Sequence, residues 1–114
     1  MAKKNVMLVL SNAVEGKEED FNHWYSDVHL ADGLKVPGFV AAQRFKLSDV
    51  QRKGVPPAQW KYLTVWEIEA DDPTEALAET ARRVRTPQMP VPDNTITDIW
   101  AYVYEEITPR VEPG

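Results

Sequence analysis

Apolar and polar positions divide the chain into alternating strand-like and helix-like segments. Val6 to Leu10 is a continuous run of Val, Met and Leu, read as a first strand. Ser11 to Gly16 is a polar connection. Phe21, Trp24, Tyr25 and Val28 then fall on one stripe at about 100° per residue, which predicts an amphipathic helix. Glu18, Glu19 and Asp20 occupy its first turn, where negative charge meets the positive end of the helix dipole. The helix is expected to run to Ala31 or Asp32, with Gly33 as a left-handed C-cap and Pro37 barring any continuation. Phe39 to Leu47 predicts a second strand and Trp60 to Glu69 a third, rich in aromatic and β-branched residues. Between them, Ser48 to Gln59 is a loop with Gly54 and the Pro56-Pro57 pair. Asp72-Pro73-Thr74-Glu75 reads as a helix start, with Asp72 as cap and Glu75 closing a capping box. Leu77, Ala81 and Val84 form that helix's apolar stripe. Thr86 to Thr95 holds three prolines and is loop, Ile96 to Ile107 is a last strand, and Thr108 to Gly114 is a loose tail.

The predicted order is β-α-β-β-α-β. Right-handed crossovers turn it into a ferredoxin-like α+β fold, a four-stranded antiparallel sheet with two helices on one face. The strands are apolar on both faces: Ile99, Ala101 and Val103 alternate with Trp100, Tyr102 and Tyr104, and Leu63 and Val65 with Tyr62, Thr64 and Trp66. Two helices cover only one face, so a second copy of the chain is expected to cover the other. Long loops over that face are the alternative.

Composition narrows the partners. The chain has 114 residues, enough for one domain spanning 1–114. A net charge of −5 argues against nucleic acid or an anionic membrane, both of which reward clustered Lys and Arg. With no cysteine, thiolate nucleophiles and Cys-based metal centres are excluded; neither a metal nor a cofactor is expected. No apolar run approaches the roughly 20 residues of a membrane span. Met1-Ala2-Lys3-Lys4-Asn5 leads straight into a strand without signal-peptide features, and a cytoplasmic location is expected.

Chemistry-capable groups concentrate on the first helix. Asn22, Tyr25, His29 and Asp32 are spaced three, four and three residues apart and form one ridge at the edge of the buried stripe. A histidine there can exchange protons near neutral pH. Tyr25 and Asp32 can hold a substrate oxygen or orient the imidazole. A structural reading competes: a histidine in a last helical turn also interacts well with free carbonyls. His23 reads as solvated, and Phe21, Trp24 and Val28 as packing residues. Arg44 interrupts the second strand and can hold a carboxylate or phenolate; its bland alternative is a pair with Glu67. Trp66, Trp100, Tyr62 and Tyr102 offer an aromatic wall, although register decides which of them face the helices.

The string Glu19-Asp20-Phe21-Asn22-x-Trp24-Tyr25-x-x-x-His29-Leu30-x-Asp32, with Val36-Pro37-Gly38-Phe39-Val40-Ala41-Ala42-Gln43-Arg44-Phe45 after it, resembles the dimeric α/β-barrel superfamily, most closely its EthD-like branch. The resemblance covers about residues 15 to 47. It implies a homodimer whose sheets form a central barrel, and a ligand cavity in each subunit lined by a helix histidine matching His29. That superfamily holds cofactor-free monooxygenases, isomerases, cyclases, dehydratases and heme enzymes, so the fold does not choose a reaction. The expected function is cofactor-independent acid–base chemistry on a small aromatic or carbonyl compound. His29 would be the acid–base and Tyr25 its catalytic companion, with Asn22, Trp24, Asp32, Arg44 and Trp66 binding substrate. The alternatives are a non-catalytic small-ligand-binding dimer and a heme protein with His29 or His23 as axial ligand. The Ser48–Gln59 and Thr86–Thr95 loops are candidate lids.

Overall fold

A computed structural model describes residues 2–114. Strand β1 (Lys4–Ala13) leads into a helix of three consecutive segments: α1 (Glu18–Trp24), a π-helical segment (Tyr25–His29) and α2 (Leu30–Gly33). Strands β2 (Phe39–Lys46) and β3 (Tyr62–Glu69) follow, then helix α3 (Thr74–Arg83) and strand β4 (Ile96–Glu105). The strands pair antiparallel in the order β2-β3-β1-β4. The chain is an α+β fold with one four-stranded sheet, compatible with the ferredoxin-like class.

Register sorts the side chains. Met7 lies opposite Trp66 and Val9 opposite Thr64, while Arg44 lies opposite Thr64 from the other side. With the strict alternation of strands, this face carries Tyr62, Thr64, Trp66 and Ile68, all buried beneath the helices. Phe21 of α1 meets Tyr62 with ring centroids 5.1 Å apart. Ala76 of α3 and Ile68 of β3 close around Gly38, which makes the reversal into β2 at φ +101°. The core therefore lies in a single layer between helices and sheet, centred on Phe21, Ile68, Val36 and Met89.

The opposite face carries Leu8, Leu10, Leu63 and Val65, with Trp100 and Tyr102 opposite Leu10 and Leu8. Trp100, Tyr102, Tyr104 and Phe45 are about half exposed. The expected four-ring wall is thus split: Tyr62 and Trp66 belong to the helix side, Trp100 and Tyr102 to the open side. Strand β4 also extends beyond the helices, leaving Ile99 and Ala101 of its helix-side face exposed. The molecule measures 45 × 44 × 19 Å, a slab two layers thick.

Several local expectations are corrected. Gly33 is not a left-handed cap; it is the last helical residue, and Leu34 after it stays right-handed at φ −71°. A Cβ at position 33 would lie 2.4 Å from two ring carbons of Trp66, so glycine is there to let the helix end touch the indole. Asp72 accepts hydrogen bonds from the Thr74 N–H (2.9 Å) and hydroxyl (2.6 Å), satisfying a first-turn donor. Glu75 closes no capping box, because its carboxylate pairs with Arg82 at 2.7 Å. The α3 stripe is rotated from the expected one: Ala76 is buried, Ala81 is exposed and Val84 has left the helix. Strand β1 is longer than the apolar run, and β4 ends at Glu105 rather than Ile107.

Helix propensity alone favours alanine over glycine by about 1 kcal/mol within a helix. Here overpacking against a buried indole costs on the order of 1–3 kcal/mol. Gly33→Ala is therefore expected to destabilise the protein, opposite to its usual effect in helices, read as a lower urea midpoint.

Candidate functional site

The π-helical segment decides which groups of the first helix face inward. Its Leu30 N–H bonds back five residues to the Tyr25 carbonyl. Single π-turns of this kind widen a helix locally and are frequent at functional sites. Here the segment begins at Tyr25 and ends at His29 and turns both toward the sheet. His29 stacks on Trp24, centroids 4.6 Å apart, and meets the Tyr25 ring edge-on at 4.9 Å and Trp66 at 5.8 Å.

These rings line a cavity of about 170 Å³ between the first helix and the sheet. Trp66, against Gly33 and Phe39, is one wall, with Met7 and Val9 of β1 beside it. The segment after α3 closes it: Met89 is buried against the cavity and Val91 is partly so. Trp24 ties this segment down by donating its indole N–H to the Pro90 carbonyl at 2.8 Å. Val84, Arg85 and Ile99 are the exposed residues at its rim. Of the two candidate lids, Thr86–Thr95 borders this cavity, and Ser48–Gln59 contributes none of its lining.

Four of the expected site residues, Trp24, Tyr25, His29 and Trp66, line the cavity. Three lie elsewhere. Asn22 donates to the Tyr62 hydroxyl (3.1 Å), and that hydroxyl in turn donates to Glu18. Lys61 pairs with the same carboxylate at 2.6 Å, so this cluster pins the start of α1 to β3. Lys61 and Tyr62 hold the Glu18 carboxyl below its ordinary range. Asp32 sits one turn beyond His29, its carboxylate 3.9 Å from Lys35. Arg44 lies over the faces of Tyr25, Phe21 and Tyr62, 4.6 to 5.3 Å from the ring centroids. It donates to the Ser26 hydroxyl at 2.8 Å. The alternative pair with Glu67 does not form; Glu67 is on the opposite face, 3.7 Å from Lys4. Tyr25 thus stands between Arg44 and the cavity. His23 is exposed and paired with Asp27 at 2.8 Å.

Electrostatically the interior of the cavity, around His29 and Tyr25, is built for neutral groups. Burial lowers the His29 pKa to about 4, opposed weakly by the Asp32 carboxylate. Its Nδ1 is sealed from solvent without a hydrogen-bond partner. The imidazole is therefore uncharged near pH 7. Burial also raises the Tyr25 phenol above its ordinary value, opposed by Thr64, Trp66 and Arg44, so it stays protonated.

Thr80, Val84, Arg85, Met89 and Val91 were not singled out as site residues from the sequence. The available signal was the three-proline run within Thr86–Thr95, which marks an ordered rather than a flexible connection.

A scan against family models, a search of curated proteins and a search of solved structures all return no match to this chain.

The lowered His29 pKa has a stability consequence of definite sign. The unfolded chain binds a proton at this residue near 6.5 and the folded chain only near 4, so the stabilisation is complete above 6.5 and fades as pH falls toward 4. Between pH 7 and 5 the loss is about 2 kcal/mol. His29→Gln is expected to lack this increment, so urea midpoints of the two proteins measured across that range should converge on acidification.

Proposed function

We propose that the protein is a small homodimeric, cofactor-independent acid–base enzyme acting on a single-ring aromatic or cyclic carbonyl compound held against His29. The observation that carries this reading is a neutral, hydrogen-bond-deficient histidine on the wall of an apolar cavity of about 170 Å³. An apolar protein cavity of about 150 Å³ takes up benzene, so this volume suits one six-membered ring and not a porphyrin.

The chemistry follows from the two neutral groups. The protonated Tyr25 phenol donates a hydrogen bond to a substrate oxygen and stabilises charge that develops there. With Nδ1 sealed, His29 meets the substrate through Nε2 and takes a proton from carbon or oxygen. The imidazolium so formed is strongly acidic in this apolar setting and returns the proton to another ring atom, which is an isomerisation, or gives it to a leaving hydroxyl as the C–O bond breaks and water departs, which is a dehydration. Arg44 acts one layer behind, fixing the Tyr25 ring from its far face. A pKa of about 4 also makes His29 a weak base, and this favours a second reading in which the pocket binds a ring without converting it.

The reading is tested by incubating the protein in D2O with cyclic enones and 1,3-diketones and following deuterium entry at acidic carbons by NMR. Exchange above the buffer rate that falls about 100-fold in His29→Gln is the expected result. Equal exchange in both proteins overturns the catalytic role; binding without exchange leaves the second reading.

The partner we propose is a second copy of the chain, packed sheet to sheet, as the resemblance to EthD-like dimeric α/β barrels implies. Support comes from the open sheet face, where half-exposed Trp100, Tyr102 and Tyr104 adjoin Leu8, Leu10 and Val65. Such a contiguous apolar face is rare on a monomer. Sedimentation is expected to give twice the 13.0 kDa chain mass. Tyr102→Lys, which places charge in the middle of that face, should yield monomers; a wild-type monomer overturns the pairing.

A further inference from the structure

We propose that the cavity selects ring compounds carrying an anionic group, and that Arg85 is the residue that holds that group at the mouth. The inference rests on the reading of the cavity as a single-ring binding site. Three observations carry it. First, Arg85 is the one charged side chain at the cavity lining among the described residues while His29 is neutral. Second, it has no partner. Arg82 and Arg83 beside it are both held by Glu79 at 2.7 Å, whereas no carboxylate comes within ion-pairing distance of Arg85 among the described residues. Asp93 lines a second pocket that Arg85 also borders, and it stops short of pairing with Arg85. Third, Arg85 adopts a left-handed backbone, φ +66°, which glycine or asparagine would occupy at less cost.

The surrounding turn explains how that conformation is held. The Arg85 N–H donates to the Met89 carbonyl at 2.9 Å, the Met89 N–H to the Thr86 carbonyl at 2.9 Å, and the Thr86 N–H to the Arg83 carbonyl at 3.0 Å. Val84 and Met89 pair as an isolated bridge. Buried Met89 therefore anchors one side of the turn inside the cavity wall, and Arg85 is displayed at the rim on the same turn. The turn accounts for the left-handed backbone, because Val84 (φ −58°, ψ 134°) and Arg85 are the two central residues of a type II turn closed by the Thr86-to-Arg83 bond. What a bound anion explains is the unpartnered cation fixed by that turn over an apolar hole. A ring inside the cavity leaves its substituent at the rim, where a carboxylate or phenolate meets a planar guanidinium suited to two parallel hydrogen bonds.

The protein's own charge sharpens the test. At a net −5 the overall field repels anions, so any preference for an anion has to come from a local cation. The experiment compares benzoate with its neutral near-isostere benzamide, each titrated against the intrinsic fluorescence of the wild-type protein, in which Trp24 and Trp66 line the cavity. Benzoate is expected to bind roughly five- to tenfold tighter, with the preference shrinking as salt is raised. Arg85→Gln should abolish the preference while leaving benzamide affinity unchanged, and Arg85→Lys should keep part of it. Equal binding of the two probes by the wild type, or a preference that survives Arg85→Gln, overturns the role of Arg85 and leaves the ring-binding cavity standing. Failure of both probes to bind overturns the cavity reading together with it.

Discussion

The contact on which the rest of the structure depends is the seating of the first helix on the indole of Trp66. Gly33 makes it possible, since any side chain there would enter the ring. Because the helix end sits so close to the sheet, Trp66 is held on edge between His29 and Phe39 and becomes a wall of the cavity rather than filler. At the other end the spacing is set by Phe21 on Tyr62, and by the bonds joining Glu18 and Asn22 to Tyr62. The helix is thus clamped at both ends against one strand. The π-turn between the clamps absorbs the difference between regular helical spacing and the inward placement of both Tyr25 and His29.

That geometry separates two kinds of charge. Arg44 is spent on holding aromatic rings in place, with three π faces around its guanidinium and a single side-chain hydrogen bond to Ser26. Burial opposes its charge, and the flanking Tyr25 and Tyr62 offset that. On the cavity side of Tyr25 burial drives His29 neutral, and the one charged lining residue among the described residues, Arg85, stays at the exposed rim. One tyrosine ring divides a cationic back layer from an apolar front chamber. A polarised phenol beside a neutral imidazole suits proton movement within a single small molecule.

The element order and the strand–helix alternation were legible because each segment carries an unambiguous period, and Pro37 and the Asp72-Pro73 start mark where helices end and begin. Tyr25 and His29 were legible as neighbours on one helical ridge; Trp24 read mainly as packing, and the face of Trp66 followed only from the strand register. The role of Gly33 was not, since a glycine one residue past an apolar stripe carries the same local signal whether it reverses the chain or admits a ring. Only the tertiary distance to Trp66, a residue of β3, separates those cases. Arg44 had two plausible partners in sequence, and strand register excluded Glu67 by placing it on the opposite face. The α3 side of the cavity was illegible because Met89 and Arg85 lie in a segment without periodicity, where position is set by a hydrogen-bonded turn.

The cavity and the open sheet face share one element, β4. Its Ile96 and Ile99 border the cavity, while Trp100, Tyr102 and Tyr104 on alternate residues point to the opposite side. The strand lies beyond the cover of the helices and is held on one edge, by β1 alone, with a register shift between Leu10 and Asn12. Opposite that irregularity, Asp98 adopts φ +54° and its carbonyl accepts the Trp60 indole N–H at 2.6 Å. A strand so placed gains most of its remaining burial from whatever covers its outer face. On the proposed pairing, a second copy stiffens β4 and with it the Ile96–Ile99 side of the chamber. Assembly would then set how tightly a ring is gripped.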